Sequence, residues 1–309
     1  MNREIFSIIV IYNGMKKNWI QKCFNSIFAS SIAIKIIAID NSSTDESVIF
    51  IKENYPQVKL FIAKTNLGFA KANNIGIKYA LENNADYFFL LNQDAWVEFD
   101  TIEKLVNIAE IESKFGLFIP IHLNSDKSAF EENFLRYFYT NSSTKNAYEY
   151  LYLKKEEPNF YETNFVNAAA WLLTKKCIET VGGFDTIMFR HYGEDNNYCH
   201  RILYHNLKIA IVPAATICHD CIDRTNRPIV INNVFYAIMY SNLLLSKKDR
   251  LKHLLNIFLK IIFLKDLKNS LKEIMWIISN FKKLFKSRKI NIRPGNGLIY
   301  ITNSLDIPN

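Results

Sequence analysis

The chain lacks the short signatures that usually mark a nucleotide site. No G-x-G-x-x-G follows its first apolar run and no G-x-x-x-x-G-K-[ST] occurs anywhere, which disfavours dinucleotide and ATP chemistry. A Gly-rich, basic phosphate loop, the mark of a sugar nucleotidyltransferase, is also missing, because "IYNGMKKNW" has only Gly14. No stretch reaches the roughly 18 uninterrupted apolar residues of a membrane-spanning helix. The opening "MNREIFSIIVIYNG" mixes charges of both signs and has no small-residue cleavage site, so no export signal is expected. Five cysteines, an odd and scattered set, are expected to be reduced thiols in a cytoplasmic protein. Cys218-His219-Asp220-Cys221 contains a C-x-x-C, but Cys199 and His200 or His205 add no familiar zinc spacing.

What is present is an ordinary globular composition, 49% hydrophobic and 22% charged over 309 residues, ample for a sizeable core. The net charge of +8 is unevenly placed: Lys247–Arg293 carries fourteen Lys/Arg against three Asp/Glu, leaving a mildly acidic body. Two domains or one large α/β domain fit the length.

Apolar runs at Phe6–Ile11, Ile34–Ile39, Val58–Ala63, Tyr87–Leu91 and Phe115–Ile119 alternate with amphipathic stretches such as Leu67–Asn83. The alternation predicts an α/β fold whose central sheet is mostly parallel and flanked by helices. Residues 121–164 break it; polar, tyrosine-rich and weakly periodic, they are expected to be a variable insertion or loop facing an acceptor. Regularity returns at Phe165–Thr174 and Lys208–Val212.

Ligands of such sheets bind beyond the carboxyl ends of the strands. There the chain offers Tyr12-Asn13-Gly14, Asp40-Asn41-Ser42-Ser43, "NLGFAKANNIG" from Asn66, and Asn92-Gln93-Asp94. An aromatic ring, a carboxylate, amides, a helix N-terminus at Gly68 and a second carboxylate together suit a nucleoside diphosphate. Each also has a simpler reading: Asp40 and the serines as a capping turn, Gly68 as a relaxed turn, Asp94 as a turn former. In the second half, Glu194-Asp195 opens a helix, where acidic residues also complement the helix dipole.

Seven blocks carry a more specific signal: "SIIVIYNG", "IIAIDNSSTDES", "NLGFAKANNIGI", "LLNQDA", "VGGFDTIMF", "GEDNNYCHRI" and "VPAATICH". In this order, over roughly residues 5–220, they resemble family 2 glycosyltransferases of the GT-A fold, most of all the rhamnosyltransferase-like branch acting on bacterial surface polysaccharide. The resemblance implies that Tyr12, Asn13 and Asp40 hold the nucleotide base, with Asn41 also in the nucleotide-sugar site. It assigns Asn66, Gly68, Ala70 and Asn73 to the ribose and diphosphate. Asp94, the last residue of the block usually written D-x-D, would bind Mg or Mn, with His219 completing the metal shell. Asn92 replaces the first aspartate, which removes one negative charge; Asn92 and Gln93 are left to hydrogen-bond donor sugar or ribose. Asp195 matches the general base of an inverting transfer, Glu194 an orienting neighbour, and Trp171 could stack on an acceptor sugar or pack in the core. The implied donor is a UDP- or dTDP-sugar, with rhamnose as the sugar of this branch, and the acceptor a saccharide or lipid-linked saccharide. Rival readings are a nucleotidyltransferase and a noncatalytic nucleotide-sugar-binding or membrane-interaction module.

The expected division is a GT-A domain over 1–231 and a basic amphipathic helical tail over 232–309. In the tail Leu254, Phe258, Ile261, Leu264, Leu267, Leu271, Ile274, Ile278 and Phe281 recur every three or four residues, with lysines opposite. That stripe either packs on the body or lies on an anionic membrane surface through residues 246–290, making the protein peripheral on the inner face of the cytoplasmic membrane. Nucleic-acid binding is not expected, since the aromatics do not alternate with the lysines.

Overall fold

The computed structural model describes residues 3–140, 158–190, 192–220, 231–263 and 267–302. The apolar runs are strands because they are short, rich in Ile, Phe and Leu, and covered on both faces. Along β1 (Ile5–Ile11) alternate residues enter two separate cores, Phe6 and Ile8 on one face, Ile5, Ile9 and Ile11 on the other. β2 (Lys35–Asp40), β3 (Lys59–Ile62) and β4 (Tyr87–Asn92) join it in parallel. The sheet continues through β8 (Ala170–Thr174), β6 (Phe115–Leu123), β9 (Lys208–His219) and β5 (Ala95–Val97), in the order 3-2-1-4-8-6-9-5, with β7 (Tyr161–Thr163) against β9. β8, β5 and β7 run against the other six, so the described sheet is mixed, with four parallel and four antiparallel pairings.

β6 and β9 run several residues past their apolar runs, and β5 pairs Ala95 with His219. This extension brings His219 beside the end of β4. The described parts of 121–164 are more ordered than their composition implies: Ile121–Leu123 finish β6, Glu132–Thr140 is a helix burying Phe134 and Phe138, and Tyr161–Thr163 is β7. Residues 141–157 of that insertion lie outside the described residues.

Helix Phe69–Glu82 presses closely on β1, where a Cβ on Gly76 would come within 2.4 Å of Ile8. The helical tail is present as Ile231–Ser241, Lys247–Ile262 and Leu267–Asn291. Its end does not stand apart from the body. Gly182, at φ +81°, meets Gly297 so closely that a Cβ there would lie 1.9 Å from the Gly297 carbonyl carbon. Asp185, fully buried, accepts hydrogen bonds from Ser287 and from Asn291 Nδ2 (3.0 Å), and Ile301 joins the main core.

Candidate active site

The ends of β1, β2 and β4, helix Phe69–Glu82 and the start of helix Glu194–Tyr204 enclose a cleft of about 330 Å³. Its lining includes Tyr12, Asn41, Asn66, Asn92, Gln93, Glu194 and Asp195, so both halves of the sequence reach one site.

One wall is an amide lattice. Gln93 accepts from the Tyr12 backbone N–H and donates back to the Tyr12 carbonyl, both at 2.9 Å. Asn41 accepts from Leu67 N–H (2.7 Å) and donates to Asn66 Oδ1 (3.2 Å), which also accepts from Gly68 N–H (3.0 Å). Behind it Asn13 Oδ1 accepts from Thr44 N–H at 2.8 Å, and Asp40 accepts from Ser43 N–H at 3.2 and 3.4 Å. Such reciprocal bonds fix three loops before any ligand arrives. The exposed Tyr12 ring stands at the rim, where it could stack on a base.

The opposite wall is acidic and poorly solvated. Glu194 is buried and its Oε2 has no hydrogen-bond partner; burial, then the adjacent Asp195, push its carboxyl up to about 8. Asp195, partly exposed to the cleft, is also raised by desolvation, against the hydrogen bonds from Asn196 N–H (2.8 Å) and Nδ2 (3.2 Å). The two therefore titrate as a pair, one proton remaining through neutral pH.

For a cation, Asp94 Oδ1 stands 3.4 Å from His219 Nε2, with Asn92 Nδ2 3.5 Å from the same nitrogen. His219 Nδ1 is buried without a hydrogen-bond partner. A carboxylate oxygen beside an imidazole suits Mn²⁺ or a similar divalent ion. Behind them His122, Glu131 and His219 bring one ligand atom each within 4.8 Å of one another. Burial and the nearby His219 hold the His122 imidazole well below its ordinary value, hence neutral, while Glu131 caps helix Glu132–Thr140 through Phe134 N–H (2.8 Å).

Several expected contacts fall elsewhere. Trp171 is fully buried in β8, stacked against Phe184 at 6.2 Å, so it is a core residue and cannot touch an acceptor. Ala70 is core, and Asn73 bonds back to the Phe69 carbonyl (3.0 Å) within its own helix; neither lines the cleft. Asn13 and Asp40 shape the loop beside the cleft instead of lining it, and Gly68 at φ +80° opens the helix. Val10, Phe69, Asn167, Ala168, Ala169 and Tyr192 line the site without having been singled out. The small run Asn167–Ala169 leading into β8 was the signal for three of them, since Asn92 N–H donates to the Ala169 carbonyl (2.9 Å).

Comparison with known proteins agrees with this geometry. The family model "Glycosyl transferase family 2" matches residues 7–172. The dTDP-rhamnosyl transferase RfbF of Shigella flexneri is 25% identical over 227 residues, 73% of this chain and 72% of the relative. The S. aureus TarS 1-349 structure in complex with UDP superposes with a TM-score of 0.55 at 13% identity, covering 93% of this chain and 82% of that one. GalNAc-T7 with UDP, GalNAc and Mn²⁺ gives 0.57 at 14% identity over 77% of this chain and 48% of that structure, so the chain spans about half of it. These structures share the GT-A fold. With the family model spanning more than half of its length, the chain belongs to glycosyl transferase family 2 and is a glycosyltransferase.

Proposed function

We propose that the chain moves a sugar, with inversion, from a UDP- or dTDP-linked donor to a hydroxyl of a saccharide acceptor in bacterial surface polysaccharide assembly. Rhamnose is the sugar favoured by the name of the Shigella relative. The observation that carries the reading is the single cleft joining the amide lattice to the Glu194–Asp195 pair.

The base and diphosphate rest against the tips of β1, β2 and β4. Tyr12 stacks on the base, while Asn41 and Asn66 hold the loop whose N–H groups lead into helix Phe69–Glu82, an end that favours phosphate. Asp94 and His219 would hold Mg²⁺ or Mn²⁺, which when bound neutralises charge developing on the departing diphosphate. Asp195 takes the acceptor proton as the hydroxyl attacks the anomeric carbon. Its raised pKa makes it a better base than an ordinary aspartate, and the protonated Glu194 beside it avoids a second charge and can orient the acceptor. Among the residues lining the described cleft, carboxylates stand on this one wall, leaving none across the donor to act as a nucleophile; direct displacement inverts the anomeric centre, following the logic of paired carboxylates in glycoside hydrolysis.

Thermal-shift titration with UDP- and dTDP-sugars, with and without Mn²⁺, tests the donor class. Stabilisation by one nucleotide family, strengthened by the ion, is the expected result. NMR of the product anomer then tests inversion; retention, or no donor binding under any condition, refutes the reading.

A further inference from the structure

The two long helices of the tail form an antiparallel hairpin that turns an apolar face to solvent. Leu251, Leu255 and Phe258 on Lys247–Ile262 are 68, 56 and 57% exposed, and Met275, Ile278 and Phe281 on Leu267–Asn291 are 67, 71 and 62% exposed. Their spacing of three or four residues places each set on one side of its helix. The opposite side holds the hairpin to helix Ile231–Ser241: Tyr240 Oη donates to Glu273 (2.8 Å), Trp276 stacks on Tyr240 at 6.2 Å, and Leu284 is buried. Thus the apolar stripe of the sequence divides, and most of it is not needed for the core. Exposed apolar surface on this scale marks an interaction site.

The charge beside it selects the partner. Lys272 and Lys282 are exposed three residues from Met275 and four from Ile278, Lys268 and Lys286 are exposed on the same helix, and the segment carries fourteen Lys/Arg against three Asp/Glu. No described helix is long and apolar enough to cross a bilayer. An apolar face bordered by lysines on helices too polar to span is the pattern of a segment lying in the headgroup layer of an anionic membrane.

We infer that the hairpin seats the enzyme on an anionic lipid bilayer. Helix Ile231–Ser241, which carries the hairpin, packs directly on the catalytic wall: Asn197 Nδ2 donates to Ser241 Oγ (3.2 Å), and a Cβ on Gly193 would meet Ile238 at 2.9 Å. A hairpin held in the headgroups is therefore one helix away from the acidic wall.

The test is co-sedimentation of the full chain with vesicles of phosphatidylcholine alone or mixed with phosphatidylglycerol. Anionic vesicles should bind at least about tenfold more tightly, with the difference shrinking as salt rises. Phe258→Asp with Ile278→Asp should abolish binding to both, and Lys282→Glu with Lys286→Glu should remove the anionic preference alone. Nucleotide-sugar thermal shifts on the same variants check that the fold and donor site survive, so loss of membrane binding stays distinct from failure of the donor reading. A parent chain that remains in the supernatant with both vesicles overturns the inference. So does a concentration-dependent dimer, dissolved by the Phe258 and Ile278 changes, in a protein that ignores lipid.

Discussion

The two walls of the cleft are built on opposite principles. On the strand-tip wall nearly every polar group has a protein partner: Gln93 with Tyr12, Asn41 with Leu67 and Asn66, Asn13 with Thr44. On the helix wall Glu194 has an oxygen with none, and both carboxyls are lifted by desolvation. Satisfied amides give shape, which is what recognising a donor requires. Under-solvated carboxylates give basicity, which is what removing a proton requires. The contrast implies that damage to the first wall weakens binding and stability together, whereas damage to the second affects rate and its pH dependence.

The largest effect should come from Asp195→Asn, which removes the base: kcat should fall by about 10²–10⁴-fold with donor affinity unchanged by calorimetry. Retained turnover would break the contrast. Asp94→Asn should come next, abolishing the extra stabilisation that Mn²⁺ gives the nucleotide-bound protein in thermal shift while leaving the fold intact. Asn41→Ala strips a partner from Leu67 N–H and from Asn66, and should lower unfolding free energy by about 1–3 kcal/mol and loosen the donor as well.

Glu194→Gln sharpens the comparison through pH. Glu194 is held above its ordinary 4.5, so the folded state gains from its proton and loses that contribution as pH climbs from 4.5 to about 8. The variant should match the parent's melting temperature in acid and exceed it in alkali. Its rate profile should lose the step near 8 and keep the acid limb belonging to Asp195. Gln93→Ala, at an exposed pair, should be the mildest, costing about 0.5–1.5 kcal/mol of stability.

Much of this was legible in the residue order. The Ile- and Phe-rich runs of β1, β2 and β4 have the length and two-sided apolarity of buried strands, and the polar residues after them do meet at one cleft. β5 and β7 were not legible because three residues show no period; they are strands because β9 pairs with both, β7 along its apolar start and β5 along its extension. Trp171 misled because a ring can stack on a sugar or on Phe184, and only its burial decides. "VGGFD" ends helix Lys175–Val181 in a bend, but its partners Ser287, Asn291 and Gly297 are about a hundred residues away and leave no local trace. Helical periodicity in the tail likewise identified helices without saying which stretches face water and which return to the core.

The return of the chain at Gly297 has a practical corollary. Removing everything after the first tail helix would strip Asp185 of its partners and uncover the groove beside Gly182, so truncation there should give an insoluble product. The hairpin is instead an excursion clamped at both ends, near Ser241 and from Leu284 to Asn291, so its outward-facing residues can change without disturbing either clamp. A lineage could therefore change where its enzyme works without redrawing how it works.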